Sequence, residues 1–198
     1  MKGLLLKDCY ILQRQMKWFM GLILVFALLP NAYLQLFAIV YGALVPYTTI
    51  AHDEQSHWDQ LAGMMPYPVR SLVLSKYVLG WCVSGVVTLL AAAACIVGRR
   101  FSEDYAQPEV VALAFSLALL TIAFSLPFLF RFGVARGRMV MLLVIAIVCG
   151  SAGVLSGTFG KLGPVTDLAG IYLIPLAAVI ITIISVPVSM AMYRRKYN

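Results

Sequence analysis

Long stretches without a charged side chain alternate with short polar segments along this chain. No Asp, Glu, Lys, Arg or His occurs in residues 18–51, 77–98, 110–130, 139–160 and 168–193. An α-helix of about 20 apolar residues crosses the roughly 30 Å hydrocarbon core of a bilayer. Each of the last four stretches is therefore predicted to form one membrane-spanning helix.

The first charge-free stretch is too long for a single span. As one helix, its 34 residues would extend about 51 Å, well beyond the thickness of the hydrocarbon core. Pro30 and Asn31 lie near its middle, and this pair of residues favours a turn. The pattern predicts two short spans, 18–32 and 34–51. The whole chain is then an all-α integral membrane protein with six transmembrane helices.

The basic residues give this arrangement an orientation. With six spans, twelve of the 15 Lys and Arg residues lie on the same side as the N-terminus. With five spans, the division becomes seven against eight. Because Lys and Arg concentrate in cytoplasmic loops, we expect six spans with both termini in the cytoplasm.

The first seventeen residues have the spacing of an amphipathic helix. Leu5, Cys9, Leu12 and Met16 repeat on one helical face, and two basic residues, Lys7 and Arg14, lie opposite. Such a helix lies in the plane of the interface with its basic face toward anionic headgroups. We expect residues 1–17 to form an interfacial helix that contacts membrane lipid; the alternative is a cytosolic tail.

The composition agrees with a membrane protein. The chain is 62% hydrophobic and 12% charged, whereas about a quarter of the residues of a soluble domain are charged. The charged residues that give the net charge of +7 lie outside the apolar spans. The excess of basic residues is therefore explained by membrane topology and does not indicate nucleic-acid binding. The outer loops, 99–109 and 159–167, are too short for separate domains, and residues 1–198 are expected to form one transmembrane domain.

Several kinds of chemistry are missing from the sequence. The chain has no phosphate-binding loop of the ATPase type and no HExxH metal motif, and its four cysteines show no CxxC spacing. The spans lack ionisable residues, which disfavours an ion-coupled carrier and an intramembrane hydrolase. We therefore expect no enzyme, metal or cofactor in this chain. Serines and threonines of the spans are expected to hydrogen-bond backbone or neighbouring helices.

A polar segment, residues 52–70, separates the second predicted span from the third. Asp53 is predicted to cap the N-terminus of a short helix that ends near Gly63, with Glu54 in its first turn. Three apolar residues of this helix, Trp58, Leu61 and Met65, share one face. An exposed aromatic residue with aliphatic neighbours is typical of a surface that docks on another protein. The alternative is that Trp58 packs on the lipid interface.

Two basic residues follow this segment. Arg70 and Lys76 lie where the third span begins, residues 71–193 being assigned to spans three to six. We expect both side chains at the level of the inner headgroups, as is typical of the cytoplasmic ends of spans.

The order of these features resembles the membrane subunits of ABC-2-type transporters, in particular small bacterial permeases that export bacteriocins, lantibiotics or phenol-soluble modulins. The opening residues, MKGLLLKDCY, are similar to the family pattern MKxLLxKDxY. The stretch PYPVRSLVLSKY is similar to LPxSRxxIVxSKYL, although Arg70 comes one residue later than the arginine of that pattern.

The resemblance implies that residues 52–65 include a cytosolic coupling helix, which docks on a separate ABC ATPase subunit. Asp53, Glu54, Trp58, Leu61 and Met65 would form the docking surface. It also implies two ATPases, which bind ATP and Mg, and a second permease that is either an identical copy or a paralogue.

The function expected from the resemblance is ATP-driven export of amphipathic peptides, hydrophobic antibiotics or lipids across the bacterial plasma membrane. The alternative is an accessory membrane protein, such as an immunity factor, scaffold or sensor, that binds a cytosolic partner through the same polar segment. An ion-coupled or passive carrier is a third hypothesis, which the charge-free spans disfavour.

Overall fold

The structure, a computed structural model, describes residues 2–15, 17–58, 68–98, 108–159 and 168–197. These residues form helices joined by turns, and no strand occurs among them. The helices are α1 (Lys2–Gln15), α2 (Lys17–Leu28), α3 (Ala32–Gly42), α4 (Val45–Gln55), α5 (Val69–Gly98), α6 (Pro108–Phe159) and α7 (Leu168–Tyr197). The all-α prediction is thereby confirmed.

Three described helical segments are long and apolar enough to cross a membrane. They are Val69–Gly98, Val110–Val134 and Ile174–Tyr193. The pairs α1–α2 and α3–α4 each form a further crossing if a bent pair counts as one span, which raises the number in the described chain to five. The chain is a multi-pass membrane protein; the count of six spans stays a prediction.

The first charge-free stretch is broken where its turn was predicted. α2 ends at Leu28 and α3 begins at Ala32. Asn31 caps α3, because its side-chain oxygen accepts hydrogen bonds from the backbone N–H groups of Tyr33 at 3.0 Å and Leu34 at 3.3 Å. An N-cap of this kind satisfies donors that the first turn of a helix leaves without a partner.

A second break was not predicted. The expected span 34–51 is divided into α3 and α4, which meet at an angle of 40°. Pro46 lies in the first turn of α4. Proline has no backbone N–H and cannot continue a preceding helix, but it is well tolerated where a helix begins. α4 then continues to Gln55, beyond the predicted end of the span at residue 51.

α6 contains a third break at Gly133. This residue has φ 75° and ψ 176° within a helix of 52 residues. Residues other than glycine are strongly disfavoured in this backbone conformation, because a Cβ atom would clash with the backbone. The break divides α6 into one segment before Gly133 and a second segment that begins at Val134. A single glycine thus places a kink between the residues of the predicted fourth and fifth spans.

Three helices pack closely together at Gly80 of α5. A Cβ atom at this position would lie 2.8 Å from Cγ of Pro46 and 3.1 Å from Cδ1 of Ile122. Glycine therefore allows α4 and α6 to pack directly on the backbone of α5, as small residues do between membrane helices. A second glycine of α5, Gly85, has no such neighbour among the described residues, because a Cβ atom there would meet nothing within 4 Å.

These two glycines provide a matched test of the packing. Gly80→Ala should destabilise the protein by about 1–3 kcal/mol, because the proline ring cannot move away easily. Gly85→Ala should leave stability unchanged or raise it by about 0.5–1 kcal/mol, since alanine favours the helix more than glycine does. The measurement is the thermal unfolding midpoint of each detergent-solubilised variant. Equal midpoints for the two variants would contradict the close approach.

Candidate functional site

α1 packs against the rest of the protein through a different face from the one predicted. Its buried residues are Leu4, Asp8 and Leu12, which repeat every four positions. Of the predicted face, Leu12 is buried, but Leu5 is only half-buried and Cys9 is exposed. The face is rotated by about one residue, because the carboxylate of Asp8 points inward. The contact of the predicted apolar face with lipid stays a prediction.

The two basic residues predicted opposite the apolar face of α1, Lys7 and Arg14, differ from each other. Arg14 is exposed, as an interfacial position requires. Lys7 does not face headgroups as predicted, because its Nζ lies 2.6 Å from Oδ1 of Asp53. A carboxylate of the protein therefore replaces the expected lipid phosphate as its partner. Met16, the last residue of the predicted face, lies outside the described residues.

Lys76 is the centre of a group of ion pairs between three helices. Its Nζ lies 2.8 and 2.9 Å from the two carboxylate oxygens of Asp8, and 2.7 Å from Oδ2 of Asp53. Lys7 contributes a second ammonium, 2.6 Å from Asp53 and 3.5 Å from Asp8. We call Lys7, Asp8, Asp53 and Lys76 the charge cluster. It joins α1, α4 and α5 and contains two positive and two negative groups.

The charge cluster is largely removed from solvent. Asp8 is 1% exposed, Asp53 6% and Lys76 7%. Desolvation of each ion costs several kcal/mol, and only close pairing with well-placed hydrogen bonds offsets this loss. Each carboxylate here is close to both ammonium groups, so that no member of the cluster is left without a partner.

The location of Lys76 corrects a prediction. Both Arg70 and Lys76 were expected at the inner headgroups. Arg70 is exposed, and its place at the headgroups stays a prediction, whereas Lys76 is buried. Six residues of helix separate them, about 9 Å along the axis of α5. This distance carries the Lys76 ammonium from the end of the helix into the space between α1 and α4.

The location of Asp53 corrects the prediction that this residue caps the N-terminus of a short helix. Asp53 does not cap the start of a new helix, because it lies in the last turn of α4. The helix ends in a turn at Ser56 and His57, whose N–H groups donate to the carbonyls of His52 at 2.9 Å and Glu54 at 3.3 Å. His57 has φ 53°, a left-handed conformation typical of the residue after a helix.

Trp58 lies just beyond this turn and is half-buried. The Nζ of Lys7 is 4.4 Å from the centroid of its ring, within the range of a cation–π interaction. The turn separates Trp58 from α4, so that Glu54 and Trp58 do not belong to one continuous helix as predicted. Leu61 and Met65 lie outside the described residues.

Glu54 joins α4 to the break in α6. One carboxylate oxygen, Oε2, accepts a hydrogen bond of 2.7 Å from the backbone N–H of Val134. The other, Oε1, lies 3.2 Å from the position that a Cβ atom on Gly133 would take. Glu54 and the charge cluster border a common cleft, with apolar walls from Ile50, Leu72 and Phe130.

A second polar group follows the charge cluster directly along α5. The hydroxyl of Tyr77 lies 2.8 Å from Oγ of Ser185 and 2.7 Å from Oγ of Ser189, both on α7. Ser185 donates to the carbonyl of Ala123 in α6 at 2.6 Å. Tyr77 therefore donates to Ser185 and accepts from Ser189. The sequence indicated that serines of the spans bond to backbone, but not that these two meet Tyr77.

The described side chains show no metal-binding group. No group of three His, Cys, Asp or Glu residues among them is arranged to hold a metal ion. The charge cluster is electrically balanced, and each of its polar groups already has a partner within the protein. This arrangement fixes helices relative to one another.

Removal of one cation should show how strongly the charge cluster holds the helices. Lys76→Met leaves two buried carboxylates with Lys7 as their shared cation, and we expect a loss of about 3–5 kcal/mol in stability. Arg70→Met, on the exposed first turn of the same helix, should change stability by less than about 0.5 kcal/mol. The thermal unfolding midpoint in detergent measures both effects.

A second substitution separates charge from packing. Asp8→Asn in the Lys76→Met background should recover part of the lost stability, because one of the two poorly compensated carboxylates is then neutral. If Asp8→Asn lowers the stability of Lys76→Met further, the ion pairs do not account for the loss.

Comparison with known proteins gives the chain a family. A family model described as ABC-2 family transporter protein matches residues 3–194, which is almost the whole chain. No curated protein and no solved structure matches it. The matched range includes the spans, the charge cluster and the polar segment after α4. The chain therefore belongs to the ABC-2 transporter family and is a membrane permease subunit of that family.

Proposed function

We propose that this chain is the permease of an ATP-driven exporter and that a separate ABC ATPase docks on the polar segment after α4. The family match over residues 3–194 carries the proposal. Membership of the family implies an ABC ATPase partner, and the chain itself has no phosphate-binding loop. The proposed docking surface is Trp58, Leu61 and Met65, with Asp53 and Glu54 at its start in the chain.

The charge cluster supports the choice of this segment. Trp58 is two residues beyond the turn residue Ser56 and contacts Lys7. Asp53, in the last turn of α4, is bound to α1 and α5 by ion pairs. A force applied to the segment after α4 would therefore reach three helices through short polar contacts, which is what a permease driven by an external ATPase requires.

The proposed arrangement in the membrane has six spans, with both termini in the cytoplasm of a bacterium and α1 at the inner interface. The described helices give three to five crossings, and a sixth follows if the segment of α6 after Gly133 returns across the bilayer. We propose an assembly of two permeases and two ATPases. Amphipathic peptides, hydrophobic antibiotics or lipids are the proposed cargo, on family resemblance alone.

Cysteine labelling in intact cells tests this topology. In a background without native cysteines, Tyr33→Cys, at the turn between the first two spans, should react with a membrane-impermeant maleimide. Ser56→Cys, in the polar segment, should react only after the membrane is permeabilised. The five-span alternative places Ser56 outside, so that labelling of Ser56→Cys in intact cells would exclude six spans.

Substitution of Trp58 tests the docking surface. Trp58→Asp should weaken binding of the ATPase by about 30-fold or more, because loss of an aromatic anchor in an interface commonly costs at least about 2 kcal/mol. Tyr33→Asp replaces an exposed aromatic residue, 77% exposed, at the start of α3 and away from the polar segment, and should bind the ATPase normally. Affinity is measured with the purified permease in nanodiscs. Wild-type affinity for Trp58→Asp would remove Trp58 from the docking surface.

A further inference from the structure

We propose that Glu54 is a positioning residue that caps the second segment of α6 and makes the end of α4 and the α6 break move as one unit. The contact itself is independent of the protein's activity. Its consequence, that movement of the polar segment is delivered to α6, rests on the proposed function.

The first argument is the position of Glu54 on its own helix. Asp53 and Glu54 both lie in the last turn of α4, where the negative end of the helix dipole disfavours carboxylates. Asp53 is compensated by the ammonium groups of Lys7 and Lys76. Glu54 is compensated by the N–H of Val134 on another helix. A residue that violates a local preference in this way marks a tertiary or functional requirement.

The second argument is the need of α6 for a cap. The first N–H groups of a helix have no partner within that helix. A side chain at the preceding residue usually accepts from them, but Gly133 has none to offer. Glu54 accepts from the Val134 N–H at 2.7 Å and adds a negative charge at the positive end of the helix dipole. The missing cap is thus supplied from α4.

The third argument is that Glu54 has a fixed base. Its neighbour Asp53 is buried and paired with α1 and α5, so that the last turn of α4 cannot shift without moving those helices. The two adjacent carboxylates therefore connect the polar segment to two places at once. Asp53 connects it to α5 through the ion pair with Lys76. Glu54 connects it to the break in α6 through the hydrogen bond from Val134.

Hydrogen exchange of the Val134 amide in the full chain, in nanodiscs and without ATPase, tests the contact. Glu54→Ala should accelerate this exchange by about tenfold, since a charge-assisted hydrogen bond is lost. Glu54→Gln keeps an acceptor oxygen and should give a smaller acceleration. Gln55→Ala, an exposed neighbour, should leave the exchange unchanged. If Glu54→Ala and wild-type protein exchange at the same rate, the cap is excluded.

The consequence is tested in the reconstituted complex with the ATPase. With the ATPase at a saturating concentration, so that any change in docking is compensated, Glu54→Ala should transport less of a labelled amphipathic peptide per ATP hydrolysed than the wild type, with Glu54→Gln intermediate. An unchanged ratio of transport to hydrolysis in Glu54→Ala would overturn the transmission to α6. If the wild-type complex shows no ATP-dependent transport, the proposed function fails. The hydrogen-exchange measurement on Val134 still decides independently whether Glu54 caps α6.

Discussion

The inner end of this protein depends on one constraint, which is that three buried charged side chains, Asp8, Asp53 and Lys76, are paired with each other and with the partly exposed Lys7. Each ammonium of the charge cluster is shared by two carboxylates, and the three helices that carry them have to meet where all the pairs form together. An apolar contact tolerates sliding, but a buried charge that loses its partner costs several kcal/mol. The positions of α1, α4 and α5 relative to one another follow from this requirement.

α6 and α7 are attached through the neighbours of the charge cluster. Lys76 faces α1 and α4, and the next residue, Tyr77, is turned by about 100° around α5 and faces α7. Its partner Ser185 also bonds to the backbone of α6. One turn further along α5, Gly80 lets α4 and α6 pack directly on its backbone. An ionic, a polar and a steric contact therefore follow one another along α5, at Lys76, Tyr77 and Gly80.

The sequence predicted those features that local chemistry determines. The charge-free stretches and the turn at Asn31 are of this kind, because span length and N-capping depend on residues close together in the chain. Pro46 was a local signal for the second break as well. Asp53 and Lys76 were misassigned, since their partners lie 23 to 68 residues away in the sequence. A charged residue at the end of a span has the same local pattern whether it meets water, a headgroup or another helix.

The balance of charges in the charge cluster bears on the energy source of this permease. Ion-coupled carriers keep an ionisable group that gains and loses its ion during transport. Here both ammonium groups of the cluster are already held by carboxylates of the same chain, and the cluster lies beside the polar segment, away from the middle of the apolar spans. Such a group stabilises a fixed geometry and offers no vacant charge to a travelling ion. A rigid ionic contact of this kind suits a permease whose energy comes from outside the chain. The charge cluster can transmit a movement of α4 to α1 and α5 without taking part in ATP hydrolysis.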